Sequence, residues 1–190
     1  NQSMDEGLFH WKYGQGQGSA LIARDHSGQL LGHYGFIRRW IHYEGRRVSA
    51  FQVCDVFTVQ RERGILGRSG SFHQLARLFQ TLYLNTPEGA AFAYGFPNPR
   101  AMAVAGWGSL YLESDQIFQC HWPREKRPTP RFSFWKMTSL DAGDLPENTI
   151  EPLWSTMLNA LRENLLPERN FSYLKQRYLQ HPSQCYRFFL

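Results

Sequence analysis

The stretch Gln52-Val-Cys-Asp-Val-Phe-Thr-Val-Gln-Arg-Glu-Arg-Gly-Ile-Leu-Gly-Arg-Ser-Gly-Ser-Phe-His-Gln-Leu75 decides how the rest of the chain is read. Val53, Val56, Phe57 and Val59, with Thr58, form a β-branched and aromatic run that reads as a buried strand. A turn rich in Arg and Gly follows. Beyond it Phe72, Leu75, Ala76, Phe79, Leu82 and Tyr83 recur at helical spacing, so the chain runs from strand through loop into an amphipathic helix. The amides and positive dipole end at a helix N-terminus favour an anion, and glycines let a phosphate approach the backbone. Arg61, Arg63 and Arg68 add planar cationic forks that match phosphate oxygens. The competing reading is that Gly64, Gly67 and Gly70 only turn the chain and that the arginines are solvated.

Downstream lies Ala93-Tyr94-Gly95-Phe96-Pro97-Asn98-Pro99-Arg100-Ala101-Met102. Together with the strand, loop and helix, this segment resembles the acyl-coenzyme A site of the GNAT N-acetyltransferase superfamily. The match is closest to bacterial members that carry a Gly-Phe-Pro-Asn segment. The superfamily's loop is Arg/Gln-x-x-Gly-x-Gly/Ala; Arg61-Glu62-Arg63-Gly64-Ile65-Leu66 fits it except at Leu66, and Arg63-Gly64-Ile65-Leu66-Gly67 has one residue too many. The resemblance implies a mixed, mostly antiparallel sheet with helices on both faces. It also implies acetyl-CoA or another acyl-CoA as co-substrate and no metal. The diphosphate would lie on Arg61, Arg63, Gly64, Gly67, Arg68, Gly70 and Ser71. Pantetheine would lie beside the main chain of Phe57, Thr58 and Val59, in a gap between two splayed parallel strands with Asn98 at its rim.

With 190 residues the chain is long enough for one domain, or for one and part of a second. Hydrophobic content of 42% and aromatic content of 15% are those of a folded globule. No apolar run approaches the ~20 residues that span a bilayer, and Asn1 opens no signal-peptide pattern, so we expect a cytoplasmic protein without membrane partners. Cys54, Cys120 and Cys185 are odd in number and far apart, which points to neither a disulfide framework nor a zinc site. The net charge of +5 points to anionic partners, which a coenzyme with several phosphates satisfies, as would nucleic acid or an acidic surface. The densest basic cluster, Arg124 to Arg131, is broken by Pro123, Pro128 and Pro130 and reads as a solvated linker.

Leu8, Phe9, Trp11 and Tyr13 read as the end of a helix stopped by Gly14. Strands are expected over Ser19 to Arg24, Gln29 to Arg38 and Val48 to Val59, with turns at Asp25-His26-Ser27-Gly28 and Tyr43-Glu44-Gly45-Arg46. A helix from Ser71 to Asn85 leads to a parallel strand over Ala90 to Tyr94, then a helix from Pro99 to about Ala105 capped by Asn98, then a strand over Leu110 to Trp122. Past the proline-rich link, a strand over Phe132 to Thr138 precedes a helix from Asn148 or Thr149 that carries Ile150, Leu153, Trp154, Met157, Leu158, Leu161 and Leu165. A short helix over Asn170 to Leu179 and a strand over Cys185 to Leu190 end the chain.

Phe9-His10-Trp11-Lys12-Tyr13 parallels Leu174-Lys175-Gln176-Arg177-Tyr178, a weak internal repeat. Residues 1–125 are therefore expected to form a GNAT-like acyl-CoA-binding domain without its first strand and helix. Residues 126–190 are then a linker and the opening of a second such domain, or else the elements that complete the first.

Acyl transfer to an amine needs a base, donors for the oxyanion and a proton for the departing thiolate. Asp55, inside an apolar strand where desolvation would raise its pKa, is the expected base, and Tyr94 is a second catalytic candidate. A buried Asp that merely binds nearby backbone is the alternative. Where many superfamily members place a proton-donating Tyr after Asn98, this chain has Ala103-Val104-Ala105-Gly106. The seven histidines show no metal spacing; His33 and His73 could approach the site, and ordinary surface or packing roles are the competing reading. Three functions remain: an N-acyltransferase acting on a small-molecule or peptide amine, a non-catalytic GNAT-like binding module, and a tRNA-dependent aminoacyl transferase of tandem GNAT fold. Only the third would engage nucleic acid.

Overall fold

The structure, a computed structural model, describes residues 5–14, 16–62, 69–84, 86–115, 117, 139–140 and 145–189. The first short helix, α1 (Glu6–Phe9), runs into a π turn over His10–Gly14. The strands β1 (Gly18–Arg24), β2 (Leu30–Tyr43) and β3 (Arg46–Thr58) follow as an antiparallel meander. Each turn has a local cause. Asp25 Oδ1 accepts from Ser27 N at 3.0 Å and Gln29 N at 2.9 Å, closing the first. Glu44 and Gly45 both take positive φ, 49° and 73°, the mirror-image turn that suits the twist of a two-residue hairpin. After β3 come α2 (Ser71–Tyr83), β4 (Phe92–Gly95) and α3 (Pro99–Trp107). β4 pairs parallel with β3, so the sheet is mixed but mostly antiparallel, in the order β1-β2-β3-β4.

Period-two alternation sends neighbouring β2 residues to opposite faces. On one face Tyr34, Phe36 and Phe51 form the core with Leu75, Ala76 and Phe79 of α2. Phe79 lies 4.7 Å from the Phe36 ring and 5.2 Å from the Tyr34 ring, and all three are fully buried. On the other face Ile37 and Arg39 meet Trp11 of the first π turn and Gln176 and Arg177 of a second. Helices thus cover both faces, as the α/β reading expected.

The C-terminal elements are β5 (Ser139–Leu140), α4 (Glu147–Ala160), β6 (Leu166–Pro167), α5 (Phe171–Leu174) with its π turn Lys175–Leu179, and β7 (Phe188–Phe189). β5 and β7 make their own antiparallel pair. β6 instead joins the main sheet, against Ile41 and His42 of β2. Trp154 of α4 packs edge-on to His42 at 5.6 Å.

The internal repeat is visible as structure. Asp5 Oδ1 caps α1 by accepting from Leu8 N at 2.7 Å, and Asn170 Oδ1 caps α5 by accepting from Tyr173 N at 2.9 Å. Each cap opens a four-residue α-helix that widens into a five-residue π turn. The two copies touch at matched positions, where Trp11 Nε1 donates to the Gln176 carbonyl at 3.0 Å.

Three expected elements differ. Residues 110–115 carry no strand, because Leu110 and its neighbour Tyr111 both turn inward instead of alternating. Leu110 packs in the core with its carbonyl held by Gln80 Nε2 at 2.9 Å, and the Tyr111 hydroxyl bonds that of Tyr34. The long C-terminal helix stops at Ala160, short of Leu161 and Leu165, both exposed. The last strand is only Phe188–Phe189. The strand expected over Phe132 to Thr138 lies outside the described residues. Among the described residues no helix is long and apolar enough to cross a membrane.

Candidate functional site

The parallel pairing of β3 with β4 runs from Ala50↔Phe92 to Val53↔Gly95 and stops. β3 continues to Thr58, while β4 gives way to Phe96-Pro97-Asn98 and α3, so the two chains part. Asn98 caps α3 as expected: its side chain accepts from Ala101 N at 2.9 Å, and Pro99 fills the first helical position, where its missing N–H costs nothing. Across the opening, α2 begins at Ser71. Its N-cap is Gly70, buried and extended at φ −68°, ψ 142°, which brings no side-chain oxygen to the first turn.

A bulge in β3 shapes this opening. Between the pairs Gly35↔Cys54 and His33↔Phe57, β2 advances two residues and β3 three. The extra residue is absorbed at Asp55, whose φ of 51° is tolerated by few side chains besides Asn and Asp. Local bonds hold it there. Both carboxylate oxygens of Asp55 accept from Lys12 Nζ, at 3.0 and 2.9 Å, and Tyr13 Oη donates to Oδ2 at 2.7 Å. His33 Nδ1 lies 2.7 Å from the Asp55 carbonyl. A carbonyl can only accept, so Nδ1 is the donor in this contact and Nε2 is the ring nitrogen left for other partners. The His33 ring, 7% exposed, stacks on Phe57 at 5.5 Å with its plane tilted by 8°.

These contacts correct the chemistry expected of Asp55. Burial does push its carboxyl up, but the hydrogen bonds from Tyr13 and Lys12 and the Lys12 charge outweigh burial and hold it below the usual carboxylate range. An ionised carboxylate bonded through both oxygens is a poor base. Burial, with help from Asp55, pushes the Tyr13 phenol far up, and burial likewise raises the Cys54 thiol. The cluster is thus a locked ion pair with two neutral neighbours.

The other sequence-predicted residues fall in several places. Phe57 and Thr58 end β3, opposite His33 and Gly32. The Val59 amide donates to the Leu31 carbonyl at 2.9 Å. Arg61 reaches back to Asp25 at 2.5 Å on the outer rim, and that carboxyl is held at about 2, chiefly by the Ser27 hydroxyl. Arg63, Gly64, Gly67 and Arg68 lie outside the described residues. Tyr94 sits opposite Gln52 with its phenol raised by burial, and it senses Arg39. His73, in the first turn of α2, is buried with no partner for Nε2 among the described residues. Among the described residues no group of three or more His, Cys, Asp or Glu is arranged to hold a metal.

Sequence reasoning missed Lys12 and Tyr13. The partners of Asp55 lie 22 to 43 residues away, so no local spacing could show them. Only the aromatic-basic repeat around Lys12-Tyr13 and Arg177-Tyr178 marked the segment.

No family model matches the sequence. No curated protein matches it either. Among solved structures the chain is similar to a "putative acetyl transferase" of Pyrococcus furiosus, at 19% identity over 61% of this chain and 72% of that one, with a TM-score of 0.46. It is also similar to glucosamine-6-phosphate N-acetyltransferase of Arabidopsis thaliana, at 10% identity over 63% and 81% of the two chains, with a TM-score of 0.46. Likeness at this level leaves activity to be argued from the site.

Proposed function

We propose that this protein is an acyl-CoA-dependent N-acyltransferase of the GNAT type that moves an acetyl or other acyl group to an amine. One observation carries the reading: β3 and β4 part after Val53↔Gly95, and the next helix after β3, α2, starts at Gly70 with no side-chain cap. A strand gap suits an extended amide-bearing arm, because main-chain groups there can pair with it as a strand would. A glycine-capped helix start suits the diphosphate that follows such an arm. Arg63 and Arg68 supply the charge in the connecting loop, and pantetheine runs beside Phe57 and Thr58. Acyl-CoA brings the activated thioester; the residues of this chain orient it and move protons.

With Asp55 ionised and fully engaged, His33 takes the part of base. Its Nδ1–H is fixed on the Asp55 carbonyl, so Nε2 is oriented to receive the proton of the attacking amine. Tyr94, kept protonated by burial, is the donor to the leaving thiolate. Lys12 and Tyr13 act through Asp55: they hold the bulge, and with it the backbone beside the thioester. Acetyl-CoA titrated into the protein by calorimetry is expected to bind, and the Arg63→Ala, Arg68→Ala double variant to lose that binding. Thiol release with an amine panel is expected to fall 10²-fold or more in His33→Gln, in line with the share a positioned base supplies. Binding without thiol release from any amine would identify a non-catalytic module instead. Binding of aminoacyl-tRNA in place of the coenzyme would identify an aminoacyl transferase.

A further inference from the structure

The face of the sheet that carries Asp55 also gathers three arginines that have no acid to neutralise them. Arg39, from β2, donates from Nε to Gln52 Oε1 at 3.0 Å and lies 5.8 Å from the centre of the Tyr173 ring. Arg169 packs on the same ring at 4.6 Å, and Arg177 lies over the Trp11 ring at 5.5 Å. Arg39, Arg177 and Lys12 together line a small cleft with Trp11, Ile37 and Gln176. None of the three arginines forms an ion pair with a described residue.

Three nearby carboxylates among the described residues are otherwise engaged. Asp55 is held by Lys12 and Tyr13. Glu168 takes Arg47 through both oxygens, at 3.1 and 3.0 Å, and also His42. Glu151 Oε1 accepts from the Phe171 amide. The charges felt at Arg39 bear this out: burial disfavours its cation and Arg177 repels it, while its remaining neighbours are Tyr173, Tyr94 and Cys54. A half-buried guanidinium beside a second one costs free energy that an anion between them would recover.

We infer that this cleft, between β2 and the π turn of α5, is an anion site that receives the carboxylate of the acyl acceptor, an inference that rests on the acyltransferase reading. A planar carboxylate matches a guanidinium fork through two parallel N–H···O bonds, and Arg39 and Arg177 both line the cleft. Its place explains why an acceptor would need one. Gln52, which accepts from Arg39, is paired with Tyr94 one pair before the strands part. From Gln52 to Cys54 is two residues along β3, about 7 Å. An acceptor whose carboxylate is bound at Arg39 therefore brings its amine to the bulge if a chain of three or four atoms separates the two groups.

The test has a binding arm and a turnover arm. In the first, the Arg Nε–Hε resonances are followed by NMR during titration with succinate, with succinamide as the neutral control and inorganic phosphate as the larger anion. A saturable shift at Arg39 with succinate alone is expected, weakened at least tenfold in Arg39→Gln and, separately, in Arg177→Gln, and unchanged in Arg77→Gln on the exposed side of α2. No shift with succinate, or tighter binding of phosphate, would overturn the carboxylate site. In the turnover arm, 4-aminobutyrate is expected to show at least a tenfold lower KM than 4-aminobutanamide, with the preference abolished in Arg177→Gln. Equal KM values would overturn the assignment to the acceptor. If acetyl-CoA fails to bind the unaltered protein, the acyltransferase reading falls while the succinate titration still decides the anion site.

Discussion

Replacing Lys12 by Met keeps the length and apolar stem of the side chain and removes only the charge that faces Asp55. Both groups are partly buried, with side-chain exposures of 18% and 21%, and the shortest contact is 2.9 Å. Exposed ion pairs are worth about 0–1 kcal/mol, and breaking a fully buried one costs about 3–5 kcal/mol. A pair at this depth falls between, at about 2 kcal/mol. With a urea slope of about 2 kcal/mol/M, the midpoint should fall by about 1 M in Lys12→Met. Asp55→Asn preserves a side chain that tolerates positive φ, so it isolates the charge, whereas Asp55→Ala adds roughly 1–3 kcal/mol of backbone strain at φ 51°. The double variant Lys12→Met, Asp55→Asn should cost clearly less than the sum of the single variants, since the second change removes a partner already lost. The pH dependence has a definite sign. Asp55 is lowered in the folded state, so its stabilisation is present above the unfolded carboxyl range near 4 and is lost as pH falls through the folded value. Urea unfolding followed by circular dichroism at pH 7 and at pH 3 reads all of this. Additive single variants, or a Lys12→Met cost below about 0.5 kcal/mol at pH 7, would refute the view that this pair holds the bulge.

Two further substitutions probe the frame around the site. Phe79→Ala, at the centre of the ring cluster with Tyr34, Phe36 and Phe51, should lose about 3–5 kcal/mol in the same unfolding assay. Gly35→Ala should be unusually costly for so small a change, because a Cβ there would meet Tyr13 Oη at 2.3 Å and the Cys54 carbonyl at 2.8 Å; a midpoint within 0.2 M of the unaltered protein, or roughly 0.4 kcal/mol, would contradict that packing.

The meander, the parallel strand and the two helices around the opening were legible because each is set by local chemistry. Turn residues stand at Asp25 and Glu44-Gly45, β-branched residues fill β3, Asn98 precedes Pro99, and apolar residues repeat along α2. Elements that depend on distant partners were not legible. Leu110 and Tyr111 alternate on paper but follow Gln80 and Tyr34 in space. The strand expected over Cys185 to Leu190 shrinks to Phe188–Phe189, because its only partner strand among the described residues is Ser139–Leu140. The same limit governed the site. Asp55 was noticed for its apolar surroundings, which do raise a carboxyl, yet its state is decided by Lys12 and Tyr13 on a different element. Arg39 and Arg177, 138 positions apart by their numbering, could be brought together only by the fold.

The central claim is that the gap between β3 and β4, with the start of α2, holds the coenzyme. Backbone amide NMR during titration with acetyl-CoA addresses it directly. Shifts concentrated at 54–58, 70–73 and 95–98, saturating together, are the predicted result. Shifts confined to the opposite end of the sheet, around Thr86 to Gly89, or no shifts at all at millimolar acetyl-CoA, about the weak end of specific binding, would contradict it.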